Sequence, residues 1–209
     1  MRLLHLDASP RADRSRSRTI ARHFLDELPN SYSHTTYDLW SMSLPSLDGC
    51  MIEGRYDLIM GQPVPAQVAE EWAKIEQVAS AFREHDALLI STPMWNFGIP
   101  YRLKHFIDVV TQPGMAFRND AAGKVEGLLA GKPAVIIASS AMPFGSDPGI
   151  ASLDFQARYL ESWLNFIGIT EIDLIRVAPT FGPEDAVAAA MAAGAVEARA
   201  LAQEWAASR

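Results

Sequence analysis

The sequence predicts an α/β fold, a five-stranded parallel sheet in strand order 2-1-3-4-5 with helices on both faces, and three observations point to it. Apolar strand-like runs alternate with amphipathic helix-like stripes from one end of the chain to the other. Each strand is followed by a helix, and such crossovers bury a parallel sheet on both faces. Right-handed crossovers then leave few topologies for five strands, of which this doubly wound order is the natural one. No internal repeat, low-complexity tract or long Pro/Ser linker divides residues 1–209, so one domain is expected.

Residues 3–6 are a short apolar run ending at Asp7, the first strand. Residues 18–28 place Ile20, Ala21, Phe24, Leu25 and Leu28 on one helical stripe, closed by Pro29-Asn30. Residues 34–39 read as a second, more polar strand. Residues 40–64, rich in Ser, Pro and Gly, read as irregular, and 66–85 as a helix. Residues 87–91 are a buried-type strand, and 101–111 a helix through Leu103, Phe106, Ile107 and Val110. The most apolar strand is 134–138, followed by a helix over 153–166. A last strand over 171–177 precedes an alanine-rich helix over 184–207, which Gly194 weakens by roughly 1 kcal/mol.

With 49% hydrophobic and 21% charged residues the chain has the composition of a globular protein. No apolar run approaches the roughly 18 residues of a membrane-spanning helix. The apolar start ends at Asp7, too early for a secretory signal, and Cys50 is the single cysteine. A reduced, cytoplasmic protein without an intrachain disulfide or cysteine-rich metal site is expected. The net charge of -7 argues against nucleic-acid binding. Arg11, Arg14, Arg16 and Arg18 nevertheless crowd one early loop, with Asp13 the only acid between them, which suggests a local anion site or a solvated loop.

Ligands of open parallel sheets bind beyond the carboxyl ends of the strands, which selects the loops after strands one, three and four. The first, 8–17, has no glycine and is neither a Walker loop nor a dinucleotide fingerprint. Its Ser9, Ser15 and Ser17, with a helix start and nearby arginines, suit a phosphate dianion. Ser15 or Ser17 can equally serve as a helix cap. The second loop, Pro93-Met94-Trp95-Asn96-Phe97-Gly98, offers a flat apolar wall and one amide for a planar ring, though aromatics also pack as ordinary core. The third, Ser139-Ser140-Ala141-Met142-Pro143-Phe144-Gly145-Ser146, is uninformative by itself.

Other chemistries fail on spacing. Cys50 and Arg55 have four residues between them and lie in the irregular stretch, which excludes a C-x5-R phosphatase loop. Asp7 stands alone at the first strand's end, without the acid cluster of a receiver domain. No His/Asp/Glu spacing suggests a metal. His5 reads as a packed core histidine, and the other four histidines as surface residues.

On these loops the chain resembles the FMN-dependent NADH-azoreductases and the related NAD(P)H:quinone oxidoreductases. Ser9 and Ser15-Arg16-Ser17 match their phosphate loop, and Pro93 to Phe97, followed by Leu103-Lys104 and Ile107-Asp108, their flavin loop and its helix. Gly114-Met115-Ala116-Phe117, Glu126-Gly127-Leu128, Gly131-Lys132 and Phe166-Ile167-Gly168-Ile169 follow in the family's order. The family usually has tyrosine where Trp95 stands, and Ser-Arg-Gly-Gly where this chain has Ser139-Ser140-Ala141-Met142.

The resemblance implies a flavodoxin-like three-layer sandwich holding one FMN per subunit of a homodimer. It implies NADH or NADPH as donor and two-electron, ping-pong reduction of quinones or azo compounds. The cofactor residues would be Ser9, Arg11, Ser15, Arg16, Ser17, Pro93, Met94, Trp95, Asn96, Phe97, Ser139 and Ser140, with Phe117 and Phe144 in the substrate pocket. No protein acid or base is required, because the flavin carries the hydride. Trp40, Tyr101 and Phe144 are expected at the dimer interface. A non-catalytic electron carrier or flavin-sensing partner protein of the same fold is the competing reading, disfavoured by the long excursions at 40–64 and 139–149.

Overall fold

The computed structural model describes residues 1–144 and 148–208. Five parallel strands form the main sheet: β1 (Arg2–Asp7), β2 (Ser33–Asp38), β3 (Ala87–Pro93), β6 (Ala134–Ser139) and β7 (Ile172–Val177). Two short antiparallel strands, β4 (Phe117–Asn119) and β5 (Val125–Gly127), intervene as a separate hairpin. The sheet order is therefore β2-β1-β3-β6-β7, and the expected 2-1-3-4-5 does not hold as numbered. Three-residue strands carrying Arg118, Asn119 and Glu126 in solvent leave no alternation that a sequence pattern can register.

Side chains alternate across each strand, and the core divides accordingly. Leu3, Leu89, Val135, Ile137 and Val177 face one side and pack under α1 (Arg16–Glu27) and α6 (Glu184–Ser208). Leu4, Leu6, Ile90 and Ile136 face the other, under α3 (Ala66–Glu84), α4 (Tyr101–Val110) and α5 (Phe155–Phe166). Gly194 is tolerated in α6 because a Cβ there would stand 3.2 Å from Val177 Cγ2 and 3.5 Å from Ile20 Cδ1. The missing side chain lets α6 lie close on β7 and α1.

The stretch 40–64 is not irregular throughout. It contains α2 (Gly49–Ile59), capped by Asp48, whose carboxylate accepts the Met51 N–H at 3.0 Å. The helix escapes pattern reading because its buried residues are Met51 and Gly54, while Ile52, Tyr56 and Ile59 face solvent. A Cβ on Gly54 would come within 2.3 Å of Val68 Cγ1, so glycine permits α2 to close on α3. Trp72 Nε1–H donates to the Met51 carbonyl at 2.8 Å and ties the two helices together.

Candidate functional site

The loops after β1, β3 and β6 come together at the carboxyl edge of the sheet. Ala8 N–H donates to Ser91 O at 2.9 Å, and Met94 N–H to Ser139 O at 2.7 Å, so each loop leaves its strand locked to a neighbour.

In the first loop Ser15 is the N-cap of α1, accepting the Arg18 N–H at 3.1 Å. Ser17 therefore does not cap; it lies in the first turn, buried, with its hydroxyl 3.3 Å from that of Ser15. Ser9 is buried as well. The amides of Arg16 and Ser17 have no acceptor among the described residues, as expected of the first turn of a helix. Hydroxyls and free N–H groups thus share one small region that also carries the positive end of the helix dipole.

The arginines do not act as one group. Arg11, Arg14 and Arg16 are exposed around this region, but Arg18 turns beneath it. Its guanidinium pairs with buried Asp7 and, at 3.1 Å, with Asp38. Asp7 in turn accepts the Ser9 N–H at 3.1 Å, so the loop stands on a buried ion pair. Burial is the first cause raising the Asp7 pKa; the Ser9 amide and Arg18 oppose it.

The second loop holds a strained turn. Trp95 and Gly98 exchange backbone hydrogen bonds of 2.9 and 3.0 Å, and the two residues between them, Asn96 and Phe97, have φ of 47° and 71°. Positive φ at both central positions is a primed turn, whose usual occupants are Asn and Gly. Asn96 fits. Phe97 is held in a backbone region that bulky residues avoid, at a cost of order 1–3 kcal/mol. Trp95 and Phe97 remain 37% and 43% exposed. Trp95 joins a cluster with Trp40 (5.5 Å between centroids) and Tyr101 (6.3 Å), its ring tilted to both, while Phe97 stands edge-on to Phe144 at 6.1 Å.

In the third loop Ser139 and Ser140 are nearly buried, and the Ser140 hydroxyl donates to Met142 O at 2.7 Å. Phe144 is 5% exposed, lying beneath Phe97, so its expected place at an open subunit interface is corrected to an internal one. Gly145 and Ser146 lie outside the described residues. Phe117 sits on β4, half-buried, with its ring 4.8 Å from Phe166; the structure brings it to α5 and not to the Trp95–Gly98 turn.

Two contributors stand where the sequence reading did not place them: Trp40, expected only at the dimer interface, and Gln156, which it did not name. Trp40, at the end of β2, donates its Nε1–H to Ala8 O at 2.9 Å and so joins the first loop to the aromatic wall. Gln156, buried on α5, donates to Thr92 O at 3.1 Å. Only proximity in the fold reveals either. A cleft of about 720 Å³ opens between Trp95, Asn96, Tyr101 and Leu47, and a second of about 310 Å³ lies behind Met94, between Ser140, Phe144 and Arg176.

His5 is buried in β1, its Nε2 2.9 Å from Ser91 Oγ and its Nδ1 3.3 Å from Thr36 Oγ1. His34 is exposed, but His23, His85 and His105 are half-buried and not the surface residues expected. His85 Nδ1 and His105 Nε2 each lie 2.8 Å from a backbone carbonyl. Among the described residues no helix is long and apolar enough to cross a membrane.

The model of a family described as having the flavodoxin-like fold matches residues 1–201. The FMN-dependent NADH:quinone oxidoreductase 3 of Pseudomonas fluorescens is 39% identical over 99% of this chain and 98% of its own. An FMN-dependent NADH:quinone oxidoreductase of Desulfotalea psychrophila is 36% identical over 97% of both. Among solved structures, an azoreductase from Bacillus anthracis superposes with a TM-score of 0.86 at 22% identity, covering 98% of this chain and 99% of that one. At that identity the likeness is one of fold.

Proposed function

The chain belongs to the family with the flavodoxin-like fold, alongside the FMN-dependent NADH:quinone oxidoreductases, and from that premise we propose that it reduces quinones and azo compounds with NADH, using bound FMN. One observation carries the reading. Three buried serine hydroxyls and two free helix amides, with no glycine-rich loop, stand next to an exposed aromatic turn at the adjacent strand end. Neutral donors at a helix start suit a single terminal phosphate dianion, and the flat wall suits a planar ring. FMN fits both.

When bound, FMN supplies the two-electron hydride chemistry. The chain's residues bind and orient it. Ser9, Ser15, Ser17 and the amides of Arg16 and Ser17 hold the phosphate, with Arg11 and Arg16 adding positive potential. Pro93, Met94 and Trp95 would border the ring, the carboxamide of Asn96 and the backbone of the turn would meet its polar edge, and Phe97 would close one side. Ser139 and Ser140 set the third loop against Met94, with Phe144 supporting Phe97 from below. Phe117 reaches the acceptor pocket only across a subunit junction in this reading, because its own chain holds it on α5.

We read the chain as one cytoplasmic domain that pairs as a homodimer. Tyr101 is 63% exposed beside the open cleft, and α2 turns Ile52, Tyr56 and Ile59 outward, which leaves apolar surface for a second copy to cover.

Two measurements test this. Mass spectrometry of the flavin released from the purified protein should identify FMN, and the protein should oxidise NADH with menadione without any partner protein. FAD at full occupancy, or electron transfer only through a protein partner, overturns the assignment. Sedimentation should give a dimer at working concentration, and an active monomer counts against a shared site.

A further inference from the structure

We infer that Gln156 is a positioning residue for the flavin loop, and that with the Phe155 amide it keeps the strained Asn96–Phe97 turn in its binding conformation. The inference rests on the flavin-site reading above. The turn is costly because Phe97 occupies φ 71°. Its two internal bonds join Trp95 and Gly98 to each other but fix neither to the rest of the fold. Besides the Met94–Ser139 hydrogen bond and the ring contacts of Trp95 and Phe97, the turn's attachment comes from the start of α5. Phe155 N–H, one of the helix's otherwise unpaired first-turn donors, reaches the Phe97 carbonyl at 3.1 Å. Gln156, 1% exposed, donates its Nε2–H to Thr92 O at 3.1 Å, where β3 runs out into the loop. The strand end that enters the loop and the loop's most strained residue are thus held by adjacent residues of one helix.

That helix start is itself anchored. Asp154, nearly buried, caps α5 by accepting the Ala157 N–H at 3.0 Å and pairs with Arg176 of β7 at 3.2 Å. The brace therefore runs from the sheet through Asp154 to Gln156 and Phe155, then back to the turn. Without the Gln156 arm the turn is held to α5 through the Phe155 amide alone, and it relaxes more readily toward negative φ at position 97. Affinity then falls in proportion to the fraction of molecules still holding the competent turn.

The test uses Gln156→Met, which keeps side-chain volume and removes the donor. Its apo melting temperature should fall by only about 2–4 °C, while the FMN dissociation constant from flavin fluorescence titration should rise about tenfold. The second arm repeats the change on Phe97→Gly, where Asn-Gly adopts the primed turn without strain. There the same substitution should weaken FMN less than threefold. If Gln156→Met does not fold, Gln156→Asn, one methylene too short to reach Thr92 O, should shift affinity the same way by a smaller factor. Unchanged FMN affinity in a folded variant overturns the inference, as does an equal loss in both backgrounds. A wild-type chain that does not bind FMN overturns the site reading as well, whereas wild-type binding with an indifferent variant overturns this inference alone.

Discussion

In Ser17→Asp, FMN affinity is expected to fall a hundredfold or more while the apo chain stays folded. Ser15, not Ser17, caps α1, so the substitution leaves the cap intact. A carboxylate in the first turn suits the positive helix end, by about 0.3–1 kcal/mol. It also finds the unpaired amides of Arg16 and Ser17 within local reach, so apo stability should hold level despite the tight packing around position 17. The bound state is different. The new charge would sit on the order of 4 Å from a phosphate dianion and take up the same amides. At an effective dielectric near 20, each like-charge pair costs about 4 kcal/mol. Exposed Arg11, Arg14 and Arg16 offset part of this, leaving roughly 3 kcal/mol or more, a hundredfold in affinity. Fluorescence titration with FMN beside apo melting curves measures both terms. Wild-type FMN affinity in a stably folded Ser17→Asp would remove Ser17 from the phosphate site.

The residues of this phosphate site are legible in the sequence, whereas the geometry that divides their roles is not. The serines of the first loop and the segment from Pro93 to Phe97 stand out locally, because a serine-rich helix start and aromatics on a proline-bounded turn are unusual without any knowledge of their neighbours. Strands such as 134–138 are equally plain, since both faces of a central strand are buried and every residue must be apolar. Which serine caps the helix is a matter of one residue's φ/ψ, and pattern reading set the helix start two residues late. The direction of Arg18 was hidden for a different reason: four arginines look alike until Asp7 and Asp38, from two strands, are brought under one of them.

The same limit accounts for the rest. Helix α2 turns most of its apolar residues to solvent, so its pattern carries no signature of what it packs against. Phe144 reads as a pocket and interface aromatic until its ring is found buried against Phe97, and Trp40 as an interface aromatic until its indole reaches the Ala8 carbonyl. Gln156 lies in an amphipathic helix where a glutamine is ordinary, and its role depends on a strand end 64 positions away. Local periodicity records what an element buries. It does not record which distant backbone meets it there.

The largest effect on stability is expected from His5 as the pH falls. Burial, the leading cause, pushes its pKa from 6.5 down to about 3, with the charges of His34 and Arg18 acting in the same direction and Asp38 against it. The folded chain therefore keeps His5 neutral where the unfolded chain protonates it. Stability from this residue is complete above pH 6.5 and is lost progressively as the pH falls toward 3. Each pH unit within that window is worth about 1.4 kcal/mol, so the loss should reach about 2 kcal/mol at pH 5 and on the order of 4 kcal/mol near pH 3.5. Protonation would also leave a cation against the hydroxyls of Ser91 and Thr36, close to the Arg18 guanidinium already committed to Asp7. Asp7 works in the opposite sense. Its pKa is raised by burial, so protonating it relieves a cost of the folded state as the pH falls. A comparison of wild type with His5→Gln separates the two, because Asp7 titrates in both chains and His5 in only one. Urea unfolding between pH 7.5 and 4 should show the wild-type stability falling more steeply, by a slope equivalent to about one extra proton bound on unfolding. Parallel slopes in the two chains would mean that His5 titrates normally and is not held neutral by the fold.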